Sequence, residues 1–419
     1  RSRRPSLPAP PQRRGRRQVR RRGGREMTAF LTRRDRRSAY VAPEVNRALR
    51  RNPLAPRRHV DYSLAVAAIL TALAGAAVVF TASQSKTTGV NTHFVTRQLL
   101  FLLLGGVAMG CLAALDYRLL RRLAPLVYVG SLGLLGGVFL VGERHNGAQA
   151  WYNLSAFQLQ PSEPAKVAII VVLAAWLAAR PEVSFGRLVV ALGVAAAPMA
   201  LILGQPDLGT MLVFAAIALG MLVAAGAPTR HLLMLLLAGA IGVVLILRSD
   251  VLAEFQRDRL TQFISANTDE RGAGWNVSQS LIAVGSGGLS GKGFGQGPQT
   301  QNGYVPEQQT DFIFTAVGEE LGFLGGALAL TLLAFLCLRV LRSAALAADR
   351  FGTLLCAGVL SMLVFQIFQN VGMSLGIMPV TGIPLPLFSY GGSSTVTVFG
   401  ALGVVQSVHM RRLLDPTSL

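Results

Sequence analysis

Ten apolar stretches, each near the length of about 17 to 25 residues that carries a helix across a bilayer, run through this chain of 419 residues. They cover residues 64–80, 98–115, 123–141, 163–179, 188–203, 208–225, 231–247, 312–340, 351–375 and 393–408. A bilayer leaves no water to satisfy the backbone, so stretches of this kind must be helices. The pattern predicts an all-α, polytopic membrane protein with ten transmembrane helices. Charged residues make up 14%, against about 25% in soluble domains, which excludes a soluble globular enzyme. Several stretches are rich in Gly and Ala, as close helix packing in lipid requires.

The net charge of +20 belongs almost wholly to one tail. Residues 1–60 hold 20 of the 40 Lys and Arg against Glu26, Asp35 and Glu44, so the body is nearly neutral. The tail is too charged to bury a core and is expected to be disordered and cytoplasmic, in reach of anionic membrane lipids. No nucleic-acid partner follows from it. Met27 lies just before a plausible start, so residues 1–26 are assigned no function. Residues 61–412 form the membrane domain and 413–419 a short cytoplasmic tail. With the N-terminus inside, the short inner connections carry eleven Arg and the short outer ones only Lys86, Arg97 and Arg144. Both termini are therefore expected in the cytoplasm. Cys111, Cys337 and Cys356 read as packing residues, and the five scattered histidines suggest neither a zinc site nor a Ser/His/Asp set.

Two connections are irregular. Residues 248–310 form a 63-residue loop between the seventh and eighth spans, facing outward on this topology. Seven of the thirteen residues in 285–297 are Gly, a backbone suited to close approach of a ligand. Lys292 lacks the flanking pattern of a nucleotide loop. Residues 376–392 hold three Pro and four Gly and cannot be one regular helix; they are either a kinked outer loop or a broken helix bordering a substrate groove.

Charged residues in spans are default functional candidates. Glu163 and Lys166 share one face at the start of the fourth span; the stability reading is a helix capped by Ser162 with an internal ion pair. Asp207 sits at the turn between spans five and six, where a cap role is ordinary. Asp311, at the mouth of the eighth span, is either a cap or a carboxylate placed for general-base chemistry opposite a Gly-rich loop with several Arg. Glu319 and Glu320 follow roughly 12 to 14 Å deeper at about 1.5 Å per residue, as structural partners or polar lining.

Five segments together carry a family resemblance: Gln160-Pro-Ser-Glu-Pro-Ala-Lys166, Gln205-Pro-Asp-Leu-Gly-Thr210, Gln279-Ser-Leu-Ile-Ala-Val-Gly-Ser-Gly-Gly-Leu-Ser-Gly-Lys-Gly293, Pro306-Glu-Gln-Gln-Thr-Asp-Phe-Ile-Phe314 with Gly318-Glu-Glu-Leu-Gly322, and Leu385-Pro-Leu-Phe-Ser-Tyr-Gly-Gly-Ser-Ser394. In this order they resemble the SEDS proteins (RodA, FtsW, SpoVE), over about residues 60–412. The resemblance implies ten spans with a large outer loop between the seventh and eighth, in a bacterial inner membrane. It also implies polymerisation of lipid II into glycan strands on the outer face, beside a class B penicillin-binding protein transpeptidase.

By the same resemblance Asp311 is the catalytic carboxylate, supported by Glu163, Lys166 and Asp207. Arg257, Arg259, Arg271 and Lys292 are candidates to meet the substrate diphosphate, with Mg²⁺ or Mn²⁺ as an optional aid. Gln309 stands where the family usually has His, so no imidazole is expected beside the base; Pro164 replaces a usual aliphatic residue. Gln299-Thr-Gln301 and Gly382-Ile-Pro-Leu-Pro386 look like the elongation enzyme RodA, and Gly318-Glu-Glu320 also like the division enzyme FtsW; RodA is the reading taken. A lipid II flippase, or a solute transporter with paired broken helices, are the competing classes.

Overall fold

The computed structural model describes residues 56–85, 89–90, 92–145, 148–153, 158–248 and 273–414. The basic tail lies outside the described residues, as do Arg257, Arg259 and Arg271. Each of the ten expected spans coincides with a helix: α1 (Tyr62–Ala82), α2 (Thr92–Ala114), α3 (Tyr117–Val141), α4 (Ser162–Ala178), α5 (Phe185–Gly204), α6 (Leu208–Ala224), α7 (Thr229–Arg248), α10 (Ile313–Ala345), α11 (Arg350–Ser374) and α12 (Gly392–Met410). Two further helices, α8 (Ala273–Gly287) and α9 (Pro298–Asn302), lie in the long connection before α10. Six described helices, α1, α2, α3, α5, α10 and α11, are long and apolar enough to cross a membrane by length and composition.

The helical class thus holds, with short strands added in two connections. β1 (Gln84–Ser85) pairs antiparallel with β2 (Gly89–Val90) between α1 and α2. β3 (Glu143–His145), β4 (Ala148–Asn153) and β5 (Gln158–Leu159) form a three-stranded antiparallel sheet between α3 and α4.

α2 packs along α12, α11 lies between α10, α6 and α4, and α3 rests on α4 and α5. The core is Leu, Val, Ile and Ala from α1, α4, α6, α11 and α12. Large apolar side chains also cover the outside: Leu103, Leu126, Val129, Leu140, Leu233, Leu237 and Leu328 are exposed. That much exposed apolar surface needs lipid around it, so the protein is membrane-embedded.

At the end where α1 begins, Asp61 caps that helix by accepting from the Leu64 N–H. Arg339 of α10 donates to the Asp61 carboxylate at 2.6 and 3.2 Å. Burial pushes the Asp61 carboxyl up, but the bonds from Ser63, Arg339 and the Leu64 N–H outweigh it and hold the group below the usual carboxylate range. Arg411 donates to the Ala113 and Ala114 carbonyls at the C-terminus of α2, where a cation suits the helix dipole.

α10 is broken near its start. Gly322 has φ 65° and ψ −161°, outside the helical region, a conformation open essentially to Gly alone. In an unbroken helix the N–H groups of 323 and 324 would bond the carbonyls of 319 and 320. Here Phe323 and Leu324 donate instead to Gly288 O (2.9 Å) and Leu289 O (3.1 Å), while Lys292 N and Gly293 N donate to Glu319 O (2.9 Å) and Glu320 O (3.0 Å). The Gly-rich run therefore satisfies the broken helix. A Cβ on Gly291 would overlap the Glu320 carbonyl, so the close approach expected of this run is to α10 backbone. Gly322→Ala is expected to destabilise the protein by about 1 to 3 kcal/mol from the backbone conformation alone, with further loss because its Cβ would overlap the Gly291 N. Thermal melting of the purified variant checks this; an unchanged melting temperature would mean that the break is not fixed as described.

Candidate functional site

α10 and α12 start, and α1 and α11 finish, at one end of the bundle. Between α11 and α12 the chain runs through 376–391 without helix. It is buried in protein rather than strung over a surface: Ile383, Leu385, Leu387, Phe388 and Ser389 are each at most 3% exposed. The stretch is non-helical and packed into protein over 383–389, while Ile377 and Gly382 are exposed. Leu387 takes φ 63°, an uncommon conformation for a bulky residue.

Asp311 lies beside this segment. It is not the cap of α10; the N-cap position is Phe312, with no side-chain cap bond, so the ordinary explanation of the aspartate fails. The preceding turn is closed by backbone: Glu307 O accepts from Thr310 N, Asp311 N and Phe312 N at 3.2, 3.0 and 3.4 Å. Glu307 reaches this geometry at φ 50°. The main chain is anchored on two further sides. Asn370 Nδ2 of α11 donates both to Asp311 O (2.7 Å) and to Ile383 O (2.8 Å). Tyr390 N donates to Gln309 O (2.9 Å). The half-buried Asp311 carboxylate then faces Gly382, where a Cβ would stand 3.4 Å from Oδ2.

Asp207 approaches the same segment from the other side. It is the N-cap of α6, accepting from Thr210 N (2.9 Å) and Thr210 Oγ1 (2.7 Å), as its position suggested. Gly209 packs so tightly on Thr381 and Ile383 that a Cβ would overlap the Thr381 carbonyl. Residues 381–383 are thus held between the mouth of α6 and Asp311. Gln160 ties in the start of α4: its Nε2 donates to Asp207 Oδ2 at 3.4 Å, and its N–H donates to Ser393 Oγ of α12 at 3.0 Å.

Glu163 and Lys166 form an ion pair at 2.7 Å with side chains 3% and 2% exposed. This is a pair inside protein, not on a lipid-facing surface. The expected Ser162 cap is corrected: the cap position is Pro161, and Ser162 Oγ is buried without a partner, as is Glu163 Oε2. Lys292 is exposed, and its N–H is engaged with the α10 break.

Glu319 and Glu320 are fully buried. Glu319 accepts from Gln299 N, Thr300 N and Thr300 Oγ1 at 2.7, 2.8 and 2.6 Å. It is a structural partner of α9. In the sequence Asn370 is given no role, and Thr300 and Gln308 stand out only as members of family-like segments. The Gln366, Gln369 and Asn370 trio within an otherwise apolar span was the available signal, since buried amides in a membrane helix need protein partners.

The comparisons with known proteins agree with this arrangement. The family described as "Cell cycle protein" (FtsW, RodA, SpoVE) matches residues 61–413. Stage V sporulation protein E of Bacillus subtilis is 41% identical over 320 residues, 75% of this chain and 86% of that protein. Peptidoglycan glycosyltransferase MrdB of Escherichia coli is 34% identical over 357 residues, 84% of this chain and 94% of that protein. A solved chain from a study of the "structural coordination of polymerization and crosslinking by a peptidoglycan synthase complex" superposes with a TM-score of 0.73 at 31% identity, covering 85% of this chain and 99% of that one. The match spans nearly all of the described residues, and the chain belongs to the FtsW/RodA/SpoVE family of SEDS peptidoglycan glycosyltransferases.

Proposed function

We propose that this glycosyltransferase polymerises lipid II into glycan strands by inverting transfer, with Asp311 as general base, and that it serves cell elongation as RodA does. The observation that carries the reading is the Asp311 carboxylate, one residue before the cap position of α10, its backbone held by Asn370 and its Oδ2 facing the exposed Gly382 of the non-helical segment. A positioned carboxylate of this kind supplies general-base catalysis worth about 10² to 10⁴ in rate. It takes the proton from the acceptor GlcNAc 4-hydroxyl as that oxygen attacks the anomeric carbon of the donor MurNAc; the C–O bond to the polyprenyl diphosphate breaks and the diphosphate leaves.

The leaving diphosphate needs cations. Lys292 and the loop residues Arg257, Arg259 and Arg271 are proposed for that role. Among the described residues no group of three or more His, Cys, Asp or Glu is arranged to hold a metal ion; Mg²⁺ or Mn²⁺ is the proposed optional aid in neutralising the diphosphate. Glu163, Lys166 and Asp207 support the site from α4 and α6. The ten helices that match the expected spans are read as ten crossings, with both termini in the cytoplasm and the Asp311 end outside. A class B penicillin-binding protein is the proposed partner, supported by the solved relative's place in a polymerisation and crosslinking complex. Purified protein incubated with labelled lipid II, with and without that transpeptidase, should yield glycan ladders. Movement of lipid II across vesicles without any polymer would replace this reading with a flippase.

A further inference from the structure

The turn that carries Asp311 is hung from a carboxylate two helical turns further along its own helix. Glu319 is completely buried yet makes no ion pair among the described residues. Its charge is met instead by the α9 N-terminus, through Gln299 N, Thr300 N and Thr300 Oγ1. Thr300 Oγ1 is used twice: it donates to Glu319 Oε2 at 2.6 Å and accepts from Gln308 Nε2 at 2.9 Å. Gln308, itself 2% exposed, precedes Asp311 by three residues. These bonds close a ring from Asp311 along α10 to Glu319, across to Thr300, and back through Gln308 to Asp311. The far side of the ring is locked as well, since the Glu319 carbonyl exposed by the Gly322 break accepts from Lys292 N.

We propose that Glu319 is a positioning residue for Asp311, acting through Thr300 and Gln308; this rests on the reading of Asp311 as the base. The physical case is that Gln308 has one side-chain bond holding the Asp311 turn to α9, and that bond ends on a hydroxyl oriented by the Glu319 charge. Charge-assisted bonds are the stronger kind, and a buried network of this sort specifies one arrangement. If the ring opens, α9 and the turn lose their common anchor. Asp311 then shifts relative to the acceptor hydroxyl although it touches none of the altered atoms.

The test uses full-length protein and lipid II, with initial rates resolved into kcat and KM. Thr300→Val removes the shared hydroxyl at nearly constant shape, and Thr300→Ser restores it. Thr300→Val is expected to lower kcat by about 10²-fold, the scale of ångström misplacement in a catalytic site, with KM for lipid II within about twofold of wild type; since a misfolded fraction would also lower apparent kcat at constant KM, rates are normalised to the folded fraction from the thermal melt, which is expected to match wild type. Thr300→Ser should regain most of the rate. Gln308→Met should lower kcat in the same way, and the Thr300→Val/Gln308→Met double variant should be no worse than the poorer single one, as one path requires. Glu319→Gln should show the same split; if it fails to fold, the Thr300 pair still decides. Wild-type kcat in Thr300→Val, a loss confined to KM, or multiplicative losses in the double variant would overturn the proposal. Asp311→Asn is measured alongside: if it is inactive while Thr300→Val is normal, the positioning role alone fails; if it keeps the wild-type rate, both readings fall.

Discussion

Asp311→Asn is expected to lower lipid II polymerisation by about 10² to 10⁴-fold, the range for loss of a general base, with little change in melting temperature. The stability expectation follows from the contacts. The backbone of residue 311 is held without its carboxylate: its N–H donates to Glu307 O, and its carbonyl accepts from Asn370. An asparagine keeps both, and α10 does not depend on this side chain as its cap. The variant should therefore fold, bind and fail to transfer. Ladders of wild-type length and yield from Asp311→Asn would end the assignment, while a variant that lost activity by unfolding would show it in the melt.

The second large effect concerns Lys166. Removing one partner of a buried ion pair typically costs about 3 to 5 kcal/mol, because the other charge is left unpaired. With Lys166 Nζ 2.7 Å from Glu163 Oε1 and both side chains almost fully covered, Lys166→Met should lower stability by about that amount, seen as a large drop in melting temperature and poor recovery from membranes. Glu163 Oε2 is already without a partner, so nothing stands by to replace the lysine. Adding Glu163→Gln should recover most of the stability, since an uncharged pair has no such penalty. That double variant also separates two roles: a folded double variant that polymerises slowly gives the pair a part in the reaction, and one with the wild-type rate leaves it purely structural. A single variant that melts like wild type would mean the pair is not buried as described.

Asp207 and Asp311 show how unevenly the site could be read from sequence. Both are aspartates at helix mouths, and the N-cap reading was available for each. It is right for Asp207, which accepts from Thr210, and wrong for Asp311, one residue outside the cap position. The difference comes from a tight turn at Glu307 and from Asn370, 59 residues away in the chain. The Gly-rich run misleads in another way. Its composition announces that something must come very close, but the partner is the broken backbone of α10 at Gly322, and composition does not name partners.

Sequence by itself determined the ten helical segments, because the need to bury every peptide group in lipid acts locally and leaves long apolar runs. It also marked the two irregular stretches, since Pro and Gly cannot sit silently in helices. Only the tertiary structure decided which side chains meet: that 381–383 lies between Asp311 and the mouth of α6, and that Glu319 serves α9. A helix apolar on all sides carries no stripe telling which face turns inward. Contacts between segments far apart in the chain depend on how those faces pack, and that is settled only when all the helices assemble.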